Sequence, residues 1–66
     1  MYYIKSRWGF FRADASPQQT RGLWTRSEAL AYCGSWDDAA GTQRAINYAH
    51  DGNTYMERRN SGKQGG

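Results

Sequence analysis

The first thirteen residues alternate with a period of two. Tyr2-Tyr3-Ile4-Lys5-Ser6-Arg7 and Gly9-Phe10-Phe11-Arg12-Ala13 read as two short strands around a Trp8-Gly9 turn, where glycine supplies the positive φ that a two-residue hairpin requires. In that register Arg7 opposes Phe10, Ser6 opposes Phe11, Lys5 opposes Arg12 and Ile4 opposes Ala13. Opposed residues share a face. One face then carries Tyr2, Ile4, Ser6, Phe11 and Ala13 and closes a core. The other carries Tyr3, Lys5, Arg7, Phe10 and Arg12 and is aromatic and cationic.

Residues 15–22 are polar, hold the only proline and show no periodicity, so they read as a loop. Leu23-Trp24 returns to the core. Thr25-Arg26-Ser27-Glu28 has the spacing of a capping box, with Trp24 and Ala29 placed as a hydrophobic staple. The pattern predicts a helix from about Arg26 to Cys33, an inward stripe of Ala29, Leu30 and Cys33, and a left-handed stop at Gly34. Ser35 and Asp38 can cap one further turn, while Gly41 weakens a long second helix. The stretch 44–58 admits two readings. Ala45, Tyr48 and Ala49 have helical spacing, capped at Thr42 and stopped at Gly52. Asp51-Gly52 followed by Thr54-Tyr55-Met56 is a hairpin signal, with Tyr48 opposite Tyr55 and Ile46 opposite Glu57. The hairpin is the preferred reading. The expected fold is α+β, in the order ββαββ: one capped helix on an antiparallel sheet, in a single domain over residues 1–59 with a disordered tail over 60–66. A hairpin with two or three helices is the alternative.

Sixty-six residues leave room for one small core. Val is absent, and Ile and Leu number two each, against three Trp, five Tyr and two Phe. The core must therefore be built from rings. Cys33 is alone, which excludes an internal disulfide, and His50 is the only histidine, which leaves no conventional metal site. No metal and no cofactor are expected; a homodimer is one of the few reinforcements left open. No apolar run approaches the ~20 residues that span a bilayer, and the amino end lacks a signal-peptide core, so no membrane partner is expected and the lone thiol fits a reducing cytoplasm.

The formal charge is +3. Lys5, Arg7, Arg12, Arg21 and Arg26 stand against Asp14 alone near the amino end. Glu28, Asp37, Asp38, Asp51 and Glu57 stand against Arg44 in the middle, and Arg58, Arg59 and Lys63 close the chain. Basic ends around an acidic centre suit an oriented encounter with a charged partner, although ordinary solubility accounts for the same pattern. Catalysis is not expected. His50 has only the adjacent Asp51 beside it in sequence, Cys33 falls on the predicted inward helix face, and Asp37-Asp38 read as helix-start acids rather than cation ligands. Binding is the expected role, with Tyr3, Lys5, Arg7, Phe10, Arg12 and Arg21 as the partner-contacting residues. Arg26, Arg58 and Arg59 can extend the patch. Rings that stack on bases beside cations that meet phosphates make nucleic acid one candidate partner, and a host protein or ribonucleoprotein another.

Two resemblances bear on this. Trp24-Thr25-Arg26-Ser27-Glu28-Ala29-Leu30-Ala31-Tyr32-Cys33-Gly34 is similar to the first helix of excisionase-type DNA-binding proteins, although Asp37 and Asp38 then fall where a recognition helix should begin. The order Met1-Tyr2-Tyr3-Ile4, Gly9-Phe10-Phe11-Arg12 and Trp24-Thr25-Arg26-Ser27-Glu28-Ala29 resembles small early proteins of bacteriophages and mobile elements. Anti-CRISPR proteins and other inhibitors of host defence are prominent among them. That resemblance implies a non-enzymatic inhibitor that occupies a functional surface of a host complex in the host cytoplasm; it assigns no site residue.

Overall fold

A computed structural model describes residues 1–50 and 52–59. The strands are β1 (Tyr2–Ser6), β2 (Gly9–Phe11), β3 (Trp24–Thr25) and β4 (Tyr55–Arg58), and the one α-helix among the described residues is α1 (Trp36–His50). They form one antiparallel sheet in the order β3-β2-β1-β4, with α1 packed on one face. The class is α+β. The order differs from ββαββ, because a third strand precedes the helix and only one follows it.

The opening hairpin forms, two residues out of the expected register. Ser6 pairs with Gly9 and Lys5 with Phe10, so Arg7 and Trp8 make the turn. The Trp8 amide donates to Ser6 Oγ at 3.1 Å, which fixes it. Gly9 starts β2 instead of turning the chain. Its φ is +121°, and a Cβ there would stand 2.5 Å from the Thr25 carbonyl oxygen. A slip of two keeps the pleat alternation, so Ile4, Ser6 and Phe11 still point inward and Tyr3, Lys5 and Phe10 outward.

The helix expected over Arg26–Cys33 is not formed. Thr25 belongs to β3, and its Oγ1 accepts from the Ser27 amide at 3.0 Å, a local turn that replaces the capping box. Glu28–Leu30 is a single 3-10 turn, and the chain then runs extended past the end of the sheet. Ala31 bridges Arg12 and Gly34 bridges Tyr2. Tyr32 N–H donates to the Phe11 carbonyl and Tyr2 N–H to the Gly34 carbonyl, both at 2.7 Å. An eight-residue helix is marginal alone, and the extended path satisfies strand-end groups that would otherwise lack partners. The supposed inward stripe faces outward: Leu30 is 48% exposed, and Ala29 and Cys33 are exposed too. Without that helix, the helix pair implied by the excisionase likeness is also missing.

The preferred second hairpin is replaced by the helix it competed with. Ser35 caps α1, accepting from the Asp38 amide at 3.3 Å through Oγ and from the Ala39 amide at 2.9 Å through its carbonyl. Asp37 and Asp38 sit in the first turn, where the helix dipole favours them. Ala39 and Ile46, one repeat of seven apart, face the sheet and are buried, and Gly41 is tolerated on the exposed side. β4 then pairs with the distant β1, Met56 opposite Ile4 and Tyr55 opposite Lys5. Gln43 Nε2 donates to the Thr54 carbonyl at 3.0 Å, and Thr54 Oγ1 donates to Asn47 at 2.8 Å, tying the helix to the strand that follows. Asp51 and the tail expected over 60–66 lie outside the described residues.

Ile4, Phe11, Leu23, Ala39 and Ile46 form the core, with Tyr2, Trp24, Tyr32 and Met56 packed around it. Trp24 and Tyr32 meet Phe11 edge-on, at centroid distances of 5.9 and 6.3 Å. The core was expected to be built from rings, but Phe11 is the one ring among these five buried residues; the other rings, Tyr2, Trp24 and Tyr32, pack half-buried around an otherwise aliphatic centre. Among the described residues no helix is long and apolar enough to cross a membrane.

Candidate functional site

The structure divides the expected contact residues into three places. Tyr3, Lys5 and Phe10 are together on the outer sheet face. That face is closed by the protein's own charges. Phe10 is only 8% exposed. The Tyr3 ring lies 5.2 Å from it, Lys5 Nζ stands 4.8 Å over it, and the Arg59 guanidinium spans both rings at 5.6 and 5.7 Å. Lys5 pairs with Glu57 at 3.2 Å, and Arg59 pairs with Glu57 and Glu28 at 2.8 Å each. Tyr3 Oη donates to Glu28 at 3.1 Å. The Arg59 and Lys5 hydrogen bonds hold the Glu57 carboxyl below its ordinary range. Those of Glu57 and Glu28 hold the Arg59 guanidinium above its own. Burial and the Glu28 contact push the Tyr3 phenol up.

Arg12 stands apart at the end of β2. Its Nε and Nη2 donate to the two carboxylate oxygens of Asp14 at 3.0 and 3.2 Å, a fork that holds the Asp14 carboxyl below its usual value.

Arg7 and Arg21 are at the hairpin-turn end, and no carboxylate of the described residues lies within ion-pairing distance of either. There the layer between sheet and helix is open. A cleft of about 560 Å³ runs between the β1–β2 turn, the 20–24 segment, the last turns of α1 and residues 52–54. Leu23 and Ile46 lie at its floor, while Trp8, Trp24, Arg21 and His50 line it. Trp8 is 56% exposed and stands 6.3 Å from Trp24, with the planes 35° apart. The Arg7 guanidinium lies 5.6 Å from the Trp8 ring. An adjoining hollow of about 330 Å³, lined by Arg7, Trp8, Gly52 and Asn53, shares three of those residues with the cleft. His50 Nε2 donates to the Pro17 carbonyl at 2.7 Å and so anchors the long loop to the helix end.

Arg7 and Arg21 were thus expected as contact residues, while Trp8, Trp24 and His50 were not. Trp24 reads as core from its neighbours, and it is half core: its ring meets Phe11 edge-on and lies tilted beside Trp8. The excess of tryptophan over what so small a core can enclose was the signal available. No family model matches this chain, and no curated protein or solved structure resembles it to a significant degree.

Proposed function

We propose that the chain is a non-enzymatic binding protein that inhibits a larger complex by occupying one of its functional surfaces, and that it docks through the hairpin-turn end. The observation that carries this is the distribution of charge. Lys5, Arg59 and Arg12 are already paired with Glu57, Glu28 and Asp14, whereas Arg7, Arg21, Arg26, Arg44 and Arg58 have no acid against them among the described residues, and of these Arg7 and Arg21 line the hollows beside the exposed Trp8. Arginine beside exposed tryptophan is the composition of binding hot spots. The likeness to phage early proteins favours a host-defence complex in the host cytoplasm as the target, in the manner of anti-CRISPR proteins.

Capture from a host lysate with the tagged chain, run beside the Arg7→Glu/Arg21→Glu double variant, tests this. The wild type retains a discrete complex and the variant loses it. A variant that captures the same complex, or a wild type that captures none, removes the reading.

A further inference from the structure

We infer that the cleft beside Trp8 holds single-stranded nucleic acid, one base stacked on Trp8 and the flanking phosphates on Arg7 and Arg21. This rests on the docking reading above and names the chemistry that the docking end recognises: the exposed strand carried by a target complex. Three features converge. Trp8 and Trp24 present neighbouring indole surfaces at 6.3 Å with a shallow 35° tilt, and Trp8 is more than half exposed. Indole faces of this kind stack on bases of any sequence, and only unpaired bases can reach them. Arg7, Arg21, Arg26, Arg44 and Arg58 have no acid partner among the described residues, and of these Arg21 lines the cleft and Arg7 the adjoining hollow. A planar ring with an anion on each side is the repeat of a nucleic-acid strand. The volumes agree. The cleft of about 560 Å³ falls in the range of small-ligand sites. The second hollow of about 330 Å³ opens across the same Trp8, which gives the neighbouring nucleotide a place and favours a strand over a free nucleotide. Thr20 and Asn53 add polar side chains to the cleft lining. An acidic peptide would meet the same arginines but make no use of the exposed part of Trp8.

The test titrates the full chain into fluorescein-labelled oligothymidylate and oligouridylate of about 12 nucleotides, within the usual footprint of single-strand binders. Anisotropy and quenching of intrinsic tryptophan emission are both followed. Binding with quenching is expected, and a duplex of the same length binds more weakly. Trp8→Ala weakens binding roughly 5- to 150-fold, the range for losing one stacked base. In Arg7→Glu/Arg21→Glu the slope of log affinity against log salt moves from about −1.4 toward zero, the value for two lost phosphate contacts on a single strand. Arg44→Glu, on the exposed side of α1, changes affinity by less than about twofold at physiological salt, where distant charges are screened. The arginine variants leave core residues untouched, so the salt slope decides the matter even if Trp8→Ala melts. Absence of quenching at low salt overturns the inference, as does wild-type affinity in both variants or a duplex bound as tightly as the single strand. If capture of a host complex still depends on Arg7 and Arg21 while oligonucleotides are ignored, the nucleic-acid inference fails and the docking reading stands. If capture is indifferent to those arginines, the docking reading itself fails.

Discussion

Gly9→Ala is the sharpest probe of how this fold is held. Two separate costs meet at that position. The φ of +121° lies where an L-residue is strained, which costs on the order of 1–3 kcal/mol. The added methyl would also stand 2.5 Å from the Thr25 carbonyl oxygen and 3.0 Å from its carbon, both backbone atoms that cannot rotate away. Relief requires β3 to retreat from β2. β3 has only two residues, paired Phe10 to Thr25 and Phe11 to Trp24, so it has little pairing to spare. Retreat also draws Trp24 off Phe11 and widens the cleft. Overpacking of this kind typically costs about 1–3 kcal/mol, so the sum is roughly 2–6 kcal/mol. A domain of this size holds only about 3–9 kcal/mol in total. Urea unfolding followed by tryptophan emission reads the loss directly. Gly22→Ala is the internal control, since Gly22 also has positive φ, +69°, but nothing within 4 Å of the added atom. It is expected to lose only about 1–2 kcal/mol. A Gly9→Ala chain within about 0.5 kcal/mol of wild type, the usual scatter of surface substitutions, would refute the reasoning. Equal losses at the two glycines would refute the close-approach part alone.

Three further outcomes are expected. Gly41→Ala, at an exposed helical position with nothing near the new atom, stabilises by about 1 kcal/mol, which a melting curve shows as a rise of roughly 4–8 °C. Phe10→Ala destabilises by about 3 kcal/mol because the ring is buried under Tyr3, Lys5 and Arg59; denaturant unfolding at wild-type midpoint would show the outer face to be open. Stability falls in acid: Glu57 and Asp14 have carboxyls held below their ordinary values of 4.5 and 3.8, so their contribution is complete above those values and is lost as pH drops through the lower folded ones. Melting temperature against pH should decline below about pH 4.5, less steeply in Glu57→Gln, and an unchanged slope there would discount the Glu57 cluster.

Much of the amino-terminal half was legible because its signals are local. Alternation sorted Ile4, Ser6 and Phe11 from Tyr3, Lys5 and Phe10 correctly even with the turn misplaced, since a slip of two leaves the faces alone. The same alternation cannot say whether an outward face is wet. Phe10 is buried there because Glu28, Glu57 and Arg59, each distant in sequence, fold over it. Two short-range rules misled for one reason. The capping box at Thr25 and the Asp51-Gly52 turn are each favourable by about 1 kcal/mol. The sheet overrode both by giving Thr25 to β2 and Tyr55–Arg58 to β1. Ser35 and the first-turn acids did mark the start of α1, and Gly41 was weighted too heavily against its continuation.

Composition and pleat thus determined an α+β chain and the division of its first hairpin into an inner and an outer face. The tertiary structure alone decided which charges of the described residues neutralise one another and which of them stand beside the exposed Trp8. Local pattern acts over a few residues, whereas pairing between Lys5 and Glu57, or the meeting of Trp8 with Trp24, depends on chain segments that only the closed sheet brings within reach.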